Sequence, residues 1–111
     1  MARESLGDVE HFVLLAVVRL GGESYGAPIL DEIAARTGRE VVRSAVYVAM
    51  RRLEQKGFLK SRMGEATAER GGRPKRYFAL TRAGARQLSD ARRAFVSMWA
   101  DVEHLIHKVA R

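Results

Sequence analysis

No cysteine occurs anywhere in the 111 residues, which excludes a disulfide framework, a thiolate zinc site and a thiol nucleophile. Long apolar runs are missing too: the longest, FVLLAVV at 12–18, is far short of the roughly 20 residues that a membrane-spanning helix needs. Nothing at the N-terminus has the pattern of a signal peptide, so a soluble, cytoplasmic protein is expected. There is no phosphate-cradling GxxxxGK(S/T), no HExxH and no Ser, His and acid grouping around a nucleophile motif. An enzyme is therefore not expected, and no cofactor or metal is called for. His104 and His107, three apart beside Glu103, are too few to form a metal site on their own.

Acidic charge is scarce in one place only. Residues 43–76 hold three acids (Glu54, Glu65 and Glu69) against ten Lys and Arg, while the remainder holds ten of each. The formal net charge of +7 thus resides in about a third of the chain. An even bias would speak of solubility, whereas one so confined describes a surface that meets an anion, with nucleic acid the leading candidate. A chain of this length makes one domain and hides only about two thirds of its unfolded surface, which leaves room for a partner.

Four helical stretches and one hairpin can be read along the chain. Val9, Phe12, Val13, Ala16, Val17 and Leu20 follow helical spacing, with Ser5 or Asp8 available as N-cap. Leu14, Leu15 and Val18 fall on the opposite side, so this first helix is apolar nearly all round and needs cover on two faces, one of them from another chain. After Gly21 and Gly22 a second helix is expected over about 25–37, with Pro28 tolerated in its first turn and Ile29, Leu30, Ile33 and Ala34 facing inward. The third, over about 43–56, ends on Gly57. It buries Val46, Met50 and Leu53 and leaves Arg43, Ser44, Tyr47, Val48, Arg51, Arg52 and Gln55 outside.

Residues 59–63 alternate as a half-exposed strand would, and Tyr77–Leu80 supplies the partner across a loop at 64–76. That loop holds Arg70, Gly72, Arg73, Lys75 and Arg76. From Thr81, a final helix is expected to run unbroken to about Val109, roughly 43 Å at 1.5 Å per residue. Leu88, Ala91, Phe95, Met98, Val102, Leu105 and Val109 recur on it every three or four residues, the rhythm of a seam between helices, and Trp99 and Ile106 widen the stripe. A helix that overhangs its own domain with such a seam is expected to bury it against a second copy, with Phe12 and Leu15 of the first helix contributing to the same interface.

Three helices, a hairpin with a basic tip and a closing helix make the order of a winged helix-turn-helix, mainly α with a small β-hairpin. Residues 1–80 would form the DNA-binding head and 81–111 the dimerisation helix. In that architecture the third helix enters the major groove, its Arg43, Ser44, Tyr47 and Arg51 toward the DNA, while the wing follows the backbone or minor groove. Glycine at 72 would let the wing approach closely and Arg70, Arg73, Lys75 and Arg76 would be neutralised by phosphate. A second reading, a small RNA- or ribosome-associated winged-helix protein, is weakened because the basic surface offers few aromatics besides Tyr47 on which bases could stack.

The stretches ESYGAPILDEI, AVYVAMRRLEQKGFLKS and GGRPKRYFALTRAGARQL together resemble the PadR family of bacterial transcriptional regulators, in particular its short members with a single C-terminal helix. The resemblance spans about residues 6–90. It rests on Tyr25 and Gly26, on Tyr47, Leu53, Glu54 and Gly57, and on Gly72, Arg73, Tyr77, Leu80, Thr81 and Gly84. It implies a homodimeric, ligand-responsive repressor that binds a palindromic operator in double-stranded DNA. Trp99, the only tryptophan, then has two readings: a large side chain that fills the seam, or a flat surface on which a small aromatic effector stacks between subunits. The chain departs from the family at Val42, where a Ser or Thr is usual. Ser44 is the candidate to take over that cap.

Overall fold

The computed structural model of the chain describes residues 6–65 and 73–111. Helix α1, Asp8–Arg19, starts from Gly7 rather than from Asp8: the Glu10 carboxylate accepts the Gly7 N–H at 2.9 Å, so Asp8 becomes the first helical residue, where its charge suits the positive end of the helix. Ser5, the other candidate cap, lies outside the described residues. Val13, Leu14, Ala16 and Val17 are buried, while Leu15 and Val18 face out.

A strand that the pattern did not announce follows. β1, Glu23–Ser24, is two residues long and pairs antiparallel with a later strand, too short to show any alternation. Helix α2, Gly26–Thr37, has Pro28 in its first turn and ends at Gly38. It turns a narrow stripe inward, so that Ile29 and Ile33 are buried and Leu30 half-buried. Ala34, expected to face inward, is exposed, since only one edge of the helix meets the core.

Helix α3, Arg43–Gln55, matches the expected stripe: Val46, Met50 and Leu53 are 0% exposed. Gly57 follows it with φ +82°, the left-handed conformation that glycine adopts without a Cβ clash. β2, Leu59–Met63, and β3, Arg76–Leu80, form the hairpin in a register from Leu59 opposite Leu80 to Met63 opposite Arg76. The sheet order is β1-β3-β2, three strands where two were expected.

Helix α4, Arg82–Trp99, is capped by Thr81, whose hydroxyl accepts the Gly84 N–H at 3.0 Å and donates to the Gly57 carbonyl at 2.7 Å. Its first turns pack on the head, and Leu88, expected in a seam between chains, is buried in this chain's own core at 9% exposure. The unbroken rod is not observed. Ala100 turns extended (φ −57°, ψ 127°), Asp101 takes φ +66°, and a separate helix α5, Glu103–Ala110, begins after Val102. Aspartate is a weak helix former that tolerates the left-handed region, and no neighbouring element holds this exposed stretch straight. Val102 therefore sits half-buried at the bend, outside both helices, and the three-four rhythm runs across two separate helices. No helix among the described residues is long and apolar enough to cross a membrane.

Candidate nucleic-acid interface

Helix α3 opens on Val42, which is extended and offers no side-chain cap. The Ala45 and Val46 N–H groups bond to the Val42 carbonyl. Ser44 does not replace the missing cap, so the first turn keeps its outward N–H groups and the positive end of the helix dipole unsatisfied by any side chain. From that end Arg43, Tyr47 and Arg51 succeed one another four residues apart on one exposed face.

Tyr47 stands in the middle of that face. It is 45% exposed, and it also packs against α2, because a Cβ at Gly26 would collide with its ring. Glycine at 26 thus admits the ring, whose hydroxyl end lies closest to it, while the residue as a whole stays nearly half exposed. The sequence signal for this contact lay in the Tyr25–Gly26 pair, but a clash-driven requirement for glycine becomes visible only once α2 and α3 are seen crossing.

The wing closes the other side. A groove of about 930 Å³ runs between α3, the start of α2 and the wing, and Arg43, Tyr47 and Arg51 meet Arg73, Lys75 and Arg76 along it. Six of the residues singled out in the sequence therefore share one concave surface. Ser44 does not: it opens with Val48 and Arg52 onto the opposite flank of α3, beside the start of α1. Arg70 and Gly72 lie outside the described residues. Glu54, Tyr25 and Gly26 also line the groove. Arg76 donates through Nη1 to the Ser61 hydroxyl at 3.0 Å, and that hydroxyl donates to the Glu54 carboxylate, so the wing is tethered to the last turn of α3.

Not every cation of this surface is free. Lys56 pairs with Glu10 of α1 at 3.0 Å, with both side chains largely buried. Arg62 donates through Nε and Nη2 to the two Glu23 oxygens at 2.9 and 2.7 Å, and its guanidinium lies 5.0 Å from the Tyr77 ring centroid. Those hydrogen bonds hold the Glu23 carboxyl below the ordinary carboxylate range and push Arg62 further above its already high value. Tyr77 meets Tyr25 edge to face at 5.4 Å, and the Lys75 ammonium sits 5.1 Å from the Tyr25 ring. By contrast, Arg43, Arg51, Arg73, Lys75 and Arg76 have no carboxylate partner among the described residues.

The surface between α1 and α4 is largely apolar. His11, Phe12, Leu15, Leu88, Arg92 and Phe95 line a groove of about 660 Å³ between α1 and α4, and the His11 and Phe95 rings meet at 6.0 Å. Beyond it Phe95, Met98 and Trp99 of α4 and Leu105 and Ile106 of α5 are exposed, Met98 to 79%. Trp99 does not line that groove; it stands further along, at the last residue of α4.

The family model for the transcriptional regulator PadR-like family matches residues 14–90. Comparison with curated proteins gives no match. Among solved structures, a PadR family transcription regulator from a hypervirulent Clostridium difficile is similar over 90% of this chain and 99% of its own, at 19% identity and a TM-score of 0.77. A PadR family regulator from Eggerthella lenta is 26% identical over 85% of this chain and 80% of its own, with a TM-score of 0.66. A winged-helix DNA-binding protein from STIV shares the fold at 14% identity, covering 88% and 98% of the two chains, with a TM-score of 0.69.

Proposed function

This chain belongs to the PadR-like family of transcriptional regulators, and from that premise we propose that it is a homodimeric repressor that reads a palindromic operator in double-stranded DNA. It is a transcription factor with a winged-helix DNA-binding fold and not an enzyme. The observation that carries the finer reading is the groove in which Arg43, Tyr47 and Arg51 of α3 face Arg73, Lys75 and Arg76 of the wing. Helix α3 enters the major groove by its uncapped N-terminal end, Tyr47 and Arg43 leading, and the wing cations follow the flanking backbone.

Two heads are needed to read a two-fold site, and the exposed apolar residues of α1, α4 and α5 supply the surface on which a second copy settles. Phe12, Leu15, Phe95, Met98, Trp99, Leu105 and Ile106 contribute to it. Leu88 supports it from beneath, and Val102 forms the bend between its two parts. A small aromatic effector would act there, stacking on Trp99 between the subunits and favouring one spacing of the heads, because a ligand shifts operator binding only by binding one arrangement better than the other. Such a regulator works in the cytoplasm, where its DNA is.

Replacing Arg73 and Arg76 together by Ala weakens binding to every duplex alike and lowers the dependence of log K on log salt by about 0.9 for each phosphate that is no longer neutralised. A titration with random and operator duplexes at several salt concentrations measures it. An unaltered slope removes the wing from the interface. Selection of bound fragments from the source genome then identifies the operator.

A further inference from the structure

Glu23 and Arg62 belong to the two outer strands of the sheet, and their side chains meet across β3. Each of the two donors that Arg62 points at Glu23 takes a separate carboxylate oxygen, so the fork of the guanidinium is engaged bidentately. A phosphate offers a guanidinium the same planar, two-oxygen chemistry as a carboxylate. The acid therefore occupies the part of Arg62 that the DNA backbone would take. Arg62 borders the groove between α3 and the wing through a chain of ring contacts: its guanidinium lies over Tyr77, Tyr77 meets Tyr25 edge to face, and Tyr25 and Lys75 line the groove.

The pair has little to do with holding the fold. Both side chains are well exposed, 59% and 37%, and exposed ion pairs contribute little net stability. Its consequence lies in the charge of the surface. Five interface cations on α3 and the wing have no carboxylate partner among the described residues, whereas Arg62, like Lys56, has one. Because contact with phosphate carries no sequence information, each additional cation at the backbone raises affinity for all DNA and dilutes the share that base contacts provide.

We propose that Glu23 is a specificity-determining residue of this interface, which withholds Arg62 from the phosphate backbone by clasping it across β3. The inference rests on the DNA-binding reading above and concerns which cations take part. Since the Arg62 hydrogen bonds keep the Glu23 carboxyl below its ordinary range, the clasp stays charged throughout neutral pH.

The test uses the full chain and a random-sequence duplex followed by fluorescence anisotropy from about 50 to 200 mM salt. Glu23→Gln steepens the slope of log K against log salt by about 0.9, the increment for one more neutralised phosphate, and raises low-salt affinity several-fold, while the ratio of operator to random binding falls. Arg62→Ala alone leaves the wild-type slope, and the double variant E23Q/R62A returns to it. The clasp is overturned by an unchanged slope in E23Q, by a steeper slope that persists in the double variant, or by a slope shallower by about 0.9 in R62A, which would make Arg62 an ordinary backbone contact. Wild-type protein that shows no salt-dependent duplex binding refutes the DNA reading itself. Normal wild-type binding with an unmoved E23Q refutes only the clasp. Melting temperatures of the three variants confirm that each is folded.

Discussion

Helix α3 and the C-terminal pair α4–α5 carry apolar residues at the same three-and-four spacing, yet they meet opposite fates. On α3 the stripe of Val46, Met50 and Leu53 disappears into the core between α1 and the sheet. On α4 only Leu88 reaches that core, and from Phe95 onward the stripe faces outward and then crosses a break at Ala100–Val102. Periodicity thus says that a helix face will be covered, without saying by what. Coverage from within the chain depends on how many elements stand around the helix, and past Ala91 every residue of α4 is exposed, with Phe95 keeping only an edge contact with His11 of α1.

The contrast has measurable consequences. Leu53→Ala removes a fully enclosed side chain and should cost about 2–5 kcal/mol of stability at any protein concentration, as read from denaturant unfolding. Met98→Ala in dilute protein should stay within about 0.5 kcal/mol of wild type, and a destabilisation comparable to that at Leu53 would mean that α4 is covered from within after all. Next in size is Phe95→Asp, which places a charge in the exposed seam. On the proposed dimer, it should halve the mass found by light scattering and lower operator affinity by roughly 10²-fold through loss of bivalency, with the melting of the head little altered. An unchanged mass would remove this seam from the proposed contact between copies.

The smallest effect is expected at the bend. Asp101 occupies the left-handed region with a side chain, so Asp101→Gly should preserve the break, leave helical circular dichroism unchanged and alter stability by less than about 1 kcal/mol. A rise in helix content would instead show that the bend depends on this side chain. Between them these variants separate the enclosed helix, the open one and the joint within the latter.

Much of the head was legible because its signals are local. The stripe and outer face of α3, its stop at Gly57, the two wing strands and the Thr81 cap each depend on residues within a few positions of one another. Six residues proposed for DNA contact also converge on one groove, since a helix face and a hairpin stem are set by periods of 3.6 and 2. Signals failed where a single residue or a remote partner decided. β1 is too short to alternate, the α1 cap shifted by one position because Glu10 reaches back to Gly7, and a heptad rhythm is blind to one left-handed aspartate. Ser44 shows the same limit at close range, since one step of about 100° round the helix carries it to the other flank.

Local chemistry in the chain alone determined the first three helices and the two wing strands, which of their faces are apolar, and that an excess of positive charge gathers around α3 and the wing. Folding alone decided which of those charges remain free. Lys56 found Glu10 across 46 positions and Arg62 found Glu23 across 39, encounters that follow from how helices and strands cross rather than from any neighbouring residue. The physical reason is one of range: conformational preference acts over a turn or two of chain, whereas pairing of charges acts through space, between whatever side chains the packed core brings together.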